Sequence, residues 1–556
     1  MASKYDHLNQ EQLIRLLETR DRRARFGLVW EADEIERDQA LNSDFVALDL
    51  VPELSCPKDP AAWRNLIIEG DNFDALRHLR MAFAGQVKCI YIDPPYNTGN
   101  RDFVYNDRFV DKEDSWRHSK WCEFMFQRLM LARDLLTQDG VVFVSIDDIE
   151  MSSLRLLMGK VFGDGNFVAT FVWKKVDSPN DNKVAITPDH EFIVCFALNT
   201  ASAKFDQMSA PHILEAYGST DESGRQCRDR LIKKNGKSSL RKDRPTMFFP
   251  ITAPDGSEVF PVHDNGEEAR WAMGKDGVAK HKATGTLIWK KRTKQGKEVW
   301  EPYAREFAPE VPSRPYPTIW ADLPTMRQAK AMLRDIFNTA DLFSTPKPVE
   351  LIERILRMAT GPNDLVLDFF AGSGTTAHAV HKLNAEDGGK RRVILVSSTE
   401  ATQDTPDKNL CRDVCATRVR RIIEGYTPAG GEPVPGLGGD FAYLRTRRIP
   451  AGRVLEIDHA QVWTALQLMH RDTLTPFEPG KFCWAGDEDE AVMYLPRFRR
   501  EDAPLLRKQV KQSAAVTLYS WQPSAVEQHL RAGHVTHLQM PEVLMRRFGL
   551  AQGGKP

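Results

Sequence analysis

The chain reads as an α/β protein built on a doubly wound, mostly parallel sheet. Three stretches predict this. Val87-Lys88-Cys89-Ile90-Tyr91-Ile92 is an apolar run that breaks at Asp93-Pro94-Pro95-Tyr96-Asn97-Thr98-Gly99. Gly140-Val141-Val142-Phe143-Val144-Ser145-Ile146 is a second such run, with an acidic exit at Asp147 and Asp148. Leu365-Val366-Leu367 leads into a glycine turn and then a helical pattern through Ala377, Ala379 and Val380. Short apolar runs that end in turn signals and alternate with helical stretches predict strands side by side, with ligand chemistry at their carboxyl ends.

The first exit carries distinct chemical tools. Asp93 supplies a carboxylate. Pro94 and Pro95 fix the backbone and have no N–H, so the Pro94 carbonyl is a second acceptor with no donor beside it. Tyr96 offers a flat ring. Two acceptors and a stacking face suit a planar base with an exocyclic amine, adenine or cytosine. Asp-Pro-Pro-Tyr resembles motif IV of the amino-methyltransferases of DNA.

The downstream exit is Asp368-Phe369-Phe370-Ala371-Gly372-Ser373-Gly374-Thr375-Thr376. Its glycines allow close backbone approach, and the following helix start offers free N–H groups. It lacks the third glycine of a dinucleotide fingerprint and the Lys-Ser/Thr of a phosphate loop. Aromatic faces and one carboxylate suit a sulfonium cation better than a triphosphate. The run resembles motif I of the same methyltransferases, whose cofactor is S-adenosyl-L-methionine. The order, catalytic motif first and cofactor loop second, resembles the permuted β-class. The resemblance implies a permuted Rossmann-like methyltransferase sheet, with catalysis at Asp93, Pro94, Pro95 and Tyr96 and cofactor contacts from Asp368 through Thr376.

Further stretches resemble one subgroup, the Mod subunits of Type III restriction–modification systems. Asn65-Leu66-Ile67-Ile68-Glu69-Gly70-Asp71-Asn72 precedes a helix through Leu76 and Leu79; the resemblance puts Asp71 and Asn72 by the adenosine. Phe343-Ser344-Thr345-Pro346-Lys347-Pro348 resembles motif X, which places Lys347 by the methionine end. Val393-Ile394-Leu395-Val396 reads as the next strand, and Glu400 beyond it is expected at the ribose hydroxyls. Trp121 opens a helix with Met125, Leu129 and Ala132 at helical spacing, and His190-Glu191-Phe192-Ile193-Val194 reads as a partner strand.

At 556 residues the chain holds several domains; hydrophobic content is 42 %, charged content 28 %. The expected layout is an N-terminal helical arm (1–62), a catalytic half (63–200), a β-rich target-recognition insertion (201–318), a cofactor half (319–426), then a Pro/Gly linker and small α/β domain (427–556). The eight cysteines form no metal-ligand set, so no metal is expected and the thiols are read as reduced, in a cytoplasm. No apolar run reaches membrane-spanning length.

The net charge of −1 does not announce a nucleic-acid binder, but local charge does. From Arg225 to Arg244 there are nine Lys or Arg against Asp229 and Asp243. Lys233, Lys234, Lys237, Arg241, Lys242 and Arg244 from this run, and Lys290, Lys291 and Arg292 from a second, are expected on DNA phosphates, with Trp271, Trp289, Trp300 and Tyr303 nearby as planar side chains.

The expected function is adenine-N6 methylation of double-stranded DNA by a flipped-base mechanism. The alternatives are N4-cytosine methylation, which shares the chemistry, and a DNA-specificity subunit with a vestigial pocket. The resemblance also implies a homodimer and a separate ATP-dependent restriction partner, since no ATPase or nuclease motif is found in this chain.

Overall fold

In the computed structural model, the described residues are 44–58, 62–99, 104–105, 108–109, 117–177, 186–294, 296–339, 342–402, 405–480 and 482–549. The chain divides into two compact units, one of residues 1–205 with 317–556 and one of residues 206–316.

The larger unit is organised by a ten-stranded sheet. Its strands are β1 (Asp44–Leu50), β2 (Leu66–Glu69), β3 (Val87–Ile92), β4 (Leu136–Ile146), β5 (Phe167–Lys174), β6 (His190–Ala197), β7 (Ile319–Trp320), β8 (Leu365–Asp368), β9 (Arg392–Ser397) and β10 (Ala442–Pro450). The spatial order is β1-β10-β2-β9-β8-β3-β4-β6-β5-β7. From β10 to β4 all neighbours are parallel, while β6 runs antiparallel between β4 and β5. Strands β3 and β8 are adjacent, with Ile90 opposite Leu367. From β8 the chain crosses to β9 on one side; from β3 it crosses to β4 on the other. The carboxyl ends of β3 and β8 therefore flank a topological switch point, where open α/β sheets bind ligands.

Both faces of the sheet are covered. Ile68, Ile90, Ile92, Val142, Val144 and Leu367 share one core with α1 (Asn72–Phe83), α2 (Arg117–Leu135) and α3 (Met151–Phe162). The alternate residues Cys89, Tyr91, Val366 and Leu395 are equally buried on the other face, as a period of two requires. Helix α4 (Met326–Phe337) lies ahead of the segment 343–348; α5 (Val349–Ala359) follows that segment and packs on α6 (Thr375–Asp387). A π-helical turn, Cys411–Ala416, leads into α7 (Thr417–Glu424).

The expected layout is altered at both ends. Residues 1–43 of the N-terminal arm lie outside the described residues; Asp44–Leu50, still within the expected arm, is the edge strand β1. Likewise Ala442–Pro450, assigned to the C-terminal domain, is β10 and lies between β1 and β2. Ala442, Tyr443 and Leu444 at its start are all fully buried, and pairing with β1 on one side and β2 on the other makes it a sheet strand. Beyond it, α8 (His459–His470) precedes a separate four-stranded sheet of β11 (Cys483–Gly486), β12 (Glu490–Leu495), β13 (Ala515–Ser520) and β14 (Val535–Gln539).

The smaller unit contains a four-stranded antiparallel sheet, in the order Ser219–Thr220, Gln226–Leu231, Lys297–Phe307, Leu287–Lys294. Ile232, Phe249, Ile251, Trp271, Val278 and Ala304 form its core, and the Trp271 indole N–H donates to the Phe249 carbonyl at 2.8 Å.

Candidate active site

Strand β3 ends at Ile92, and Asp93 is the next residue. Its two carboxylate oxygens are separately engaged. Oδ1 accepts from the Tyr96 hydroxyl at 2.8 Å, and Oδ2 accepts from Lys347 Nζ at 2.7 Å. Glu191 on β6 faces the same two donors, its Oε2 lying 3.1 Å from the Tyr96 hydroxyl and 3.4 Å from Lys347 Nζ. The other oxygen of Glu191 meets Lys175 Nζ at 3.4 Å. The Lys347 and Glu191 side chains are 4 % and 3 % exposed and that of Asp93 22 %, so Asp93 is the member open to a ligand.

Burial pushes the Asp93 carboxyl above its ordinary range, Lys347 opposes this, and Glu191 adds to it. Burial works against the charge on Lys347, but Asp93 and Glu191 together hold its ammonium above its ordinary value. The Tyr96 phenol is raised far up by burial and the two carboxylates, so it stays a neutral donor. The cluster balances two carboxylates against two ammoniums, which makes its burial tolerable.

The turn after β3 is clamped from behind. The Trp121 indole donates to the Pro95 carbonyl at 2.7 Å. The Pro94 carbonyl has no hydrogen bond among the described residues, which keeps it available as an acceptor. Asn97 takes a left-handed conformation at φ 59° and donates to Glu150 Oε1 at 2.5 Å and to the Arg117 carbonyl at 3.2 Å.

At the end of β8, Asp368 accepts from the Thr376 hydroxyl at 2.6 Å and the Phe370 amide at 3.0 Å. Burial raises its carboxyl to about 7. Gly372 has φ +50°, and a Cβ there would lie 3.1 Å from the Phe343 ring. Phe343 and Lys347 belong to one short segment, which thus reaches both the glycine turn and Asp93. Asn72 Nδ2 donates to the Phe369 carbonyl at 2.9 Å, tying β2's exit to the same turn. Asp71 caps α1 and meets Arg128 at 3.2 Å. Arg418 on α7 is buried behind the turn and donates to Ser373 Oγ at 3.0 Å and Thr375 Oγ1 at 2.7 Å. Gly374 opens α6 with no side-chain cap, which leaves backbone donors there.

These residues fit S-adenosyl-L-methionine. A turn without side-chain bulk, an uncapped helix start and half-buried Phe370 suit a ligand with a carboxylate and a sulfonium and no phosphates.

The sequence reading brought Lys347 to the cofactor; the structure places its ammonium on Asp93. Glu400, expected at a ribose, lies in the exposed turn past β9 at φ 51°, with its carboxylate on Lys408 at 2.8 Å. The stretch Ser397-Ser398-Thr399 carries it past the strand end. Tyr96, read as a ring alone, also uses its hydroxyl. Glu191 and Lys175 were missed as site residues. The one available signal was an acid, Glu191, at the start of a strand that is apolar from Phe192 onward.

A family profile described as DNA methylase matches residues 87–397, which include both strand exits. The chain belongs to this DNA methylase family. The family's cofactor is S-adenosyl-L-methionine. The chain is 34 % identical over 384 residues to the EcoPI Mod subunit of a Type III restriction–modification enzyme from Escherichia phage P1, covering 62 % of this chain and 58 % of that one. It is 33 % identical over 396 residues to the StyLTI Mod subunit from Salmonella typhimurium, covering 66 % and 58 %. It is 31 % identical over 391 residues to the Type II methyltransferase M.KpnI from Klebsiella pneumoniae, covering 67 % and 90 %. The match thus spans 58 % of the length of each of these two Mod subunits and most of M.KpnI.

The basic runs of the smaller unit are only partly free. Lys233 is a correction: its side chain is 9 % exposed and lies 3.4 Å from Glu301 and 3.8 Å from Asp264. Arg241 pairs with Glu268 at 2.8 Å, Lys290 with Asp229 at 3.0 Å, Lys291 with Glu298 at 3.0 Å and Arg292 with Asp264 at 3.0 Å. Lys234, Lys237, Lys242 and Arg244 have no ion pair among the described residues, and the last three are exposed. Trp271 is core; Trp289, Trp300 and Tyr303 are half-buried.

Proposed function

We propose that this methylase transfers a methyl group to the N6 amine of an adenine flipped out of double-stranded DNA, as the modification subunit of a Type III-like restriction system. The observation that carries this is the pair of acceptors at the end of β3: the partly open Asp93 carboxylate and the unpartnered Pro94 carbonyl, beside the ring of Tyr96. An exocyclic amine is a poor nucleophile because its lone pair is delocalised into the ring. Donating both N–H groups to Asp93 and Pro94 favours a more tetrahedral nitrogen with its lone pair directed outward, and placement supplies much of the rate. The target must leave the helix to reach this turn, and Tyr96 would stack on it. S-adenosyl-L-methionine, when bound, supplies a methyl group activated by its positive sulfur. Asp71, Asn72 and Asp368 through Thr376 would hold it.

The strand order, with the cofactor strand β8 beside β3 but later in the chain, supports a permuted arrangement. The smaller unit is the proposed target-recognition domain, and Lys234, Lys237, Lys242 and Arg244 are its proposed phosphate contacts. The likeness to Mod subunits supports a homodimer, a separate restriction partner and a cytoplasmic location. Asp at the first motif position favours adenine over cytosine, since the cytosine enzymes of the resembled class more often carry Ser there.

The test is transfer of labelled methyl from S-adenosyl-L-methionine to duplex DNA, followed by nucleoside analysis. N6-methyladenine is expected. N4-methylcytosine would replace the base assignment, and no transfer would overturn the reading.

A further inference from the structure

We infer that Glu191 is a second berth for the Lys347 ammonium, taken up when Asp93 accepts the target amine. This rests on the reading that Asp93 accepts that amine. Both oxygens of Asp93 are already occupied, one by Tyr96 and one by Lys347. An incoming N–H must share or displace one of these donors. Displacing Lys347 with nowhere to go would strand a buried ammonium, which is strongly unfavourable.

Glu191 removes that obstacle. Its Oε2 already lies 3.4 Å from Lys347 Nζ and 3.1 Å from the Tyr96 hydroxyl. A movement of about half an ångström brings the ammonium to hydrogen-bond distance of Glu191. Lys175 holds the opposite oxygen of Glu191, so this carboxylate keeps a cation in either arrangement. The cluster holds the same two carboxylates and two ammoniums before and after. Glu191 is thus a positioning residue that acts on Asp93 through Lys347. A rigid scaffold would need only one tight partner for Lys347; here the second carboxylate is shared by both donors that occupy Asp93.

The test compares wild type, Glu191→Gln, Lys347→Met and the double variant. Each is assayed on the duplex site found by the labelled-methyl experiment and on the same duplex with an amine-free base, purine for adenine, at the target. Calorimetry with S-adenosyl-L-methionine reports that each variant is folded. Wild type is expected to bind the amine-bearing site about tenfold more tightly than the amine-free one, the size of one hydrogen bond to a charged group. In Glu191→Gln this ratio should collapse towards one while cofactor affinity stays within a few-fold. Removing the ammonium as well, in the double variant, should restore part of the preference. A purely structural role would weaken both duplexes alike and leave the ratio intact, which would overturn the inference. A Glu191→Gln protein that no longer bound the cofactor would overturn it too. Loss of methyl transfer in wild type would instead remove the proposed function, and the inference with it.

Discussion

Around Asp93, four charges from residues 93, 175, 191 and 347 are gathered under cover and balanced one for one. In the smaller unit, charges crowd together in the sequence but lie mostly on the surface, and acids from neighbouring strands and turns pair with five of the nine cations expected on DNA. Density of charge along the chain therefore says little about where charge acts. The buried cluster is invisible as a run because its members arrive from two strand exits, the strand β6 and a distant loop. The basic runs are conspicuous, yet Lys233 within them is a buried ion-pair member and not a free cation. Paired exposed charges contribute little to stability, whereas breaking a buried set leaves an uncompensated charge.

The largest effect is expected at the centre of the buried cluster. Asp93→Ala should lower methyl transfer by about a thousandfold or more, since it removes the acceptor that orients the amine. Cofactor affinity measured by calorimetry should stay within a few-fold. Near-normal turnover would show that the charge cluster is structural only.

Next is the glycine turn, which lacks charge and works by leaving space. Gly372→Val imposes a branched side chain at φ +50° and within 3.1 Å of Phe343. It should weaken S-adenosyl-L-methionine binding by about a hundredfold, because the strained turn must move. Unchanged affinity in a folded variant would reduce the turn to helix–strand packing.

How much of this was legible in the sequence follows from the same contrast. The strands ending at Ile92 and Asp368 are continuous apolar runs, and local pattern sufficed to find them and their exits. Strand β10 was not legible as part of the main sheet, because it lies beyond a Pro/Gly linker and only long-range pairing with β1 and β2 reveals it. Lys347 was found as a residue, but its contact with Asp93 was not, since a motif's position does not say which way a long side chain turns. Glu191 carried only the mark of an acid at the start of an apolar strand. The pairing of Glu400 with Lys408 in an exposed turn was not legible either, because the strand run does not show how the chain turns after its end.

Within the smaller unit, free and paired cations should separate cleanly. Replacing Lys234, Lys237, Lys242 and Arg244 by Gln should lower DNA affinity at least about tenfold and flatten its dependence on salt, since fewer counterions are released. Lys233→Gln should instead lower thermal stability and leave the salt slope unchanged. If Lys233→Gln flattened the slope as the fourfold variant does, the burial of Lys233 would not separate it functionally from the exposed cations.

Tyr96→Phe keeps the ring and loses the hydroxyl that bridges Asp93 and Glu191. Transfer should fall about tenfold, the size of one hydrogen bond to a charged acceptor, and Tyr96→Ala should fall further because the stacking face goes too. Equal activity of Tyr96→Phe and wild type would mean that Lys347 alone orders Asp93.

The smallest effect sharpens the contrast between two buried carboxylates, one with a cation and one without. Asp93 has Lys347; Asp368 has only the Thr376 hydroxyl and the Phe370 amide, and burial raises its carboxyl from 3.8 to about 7. A carboxyl with a raised folded-state value binds its proton more tightly when folded. Its contribution is therefore fully present below about pH 4 and is lost as pH rises towards 7. The slope in that window is at most about 1.4 kcal/mol per pH unit, or less than about 4 °C in Tm for a protein of this size. Asp368→Asn cannot ionise, so its Tm should fall less steeply between pH 5.5 and 7 than that of wild type, both measured without cofactor. Parallel curves would show that Asp368 is ionised throughout, and that a hydroxyl and one backbone amide suffice to hold a buried carboxylate where Asp93 uses an ammonium.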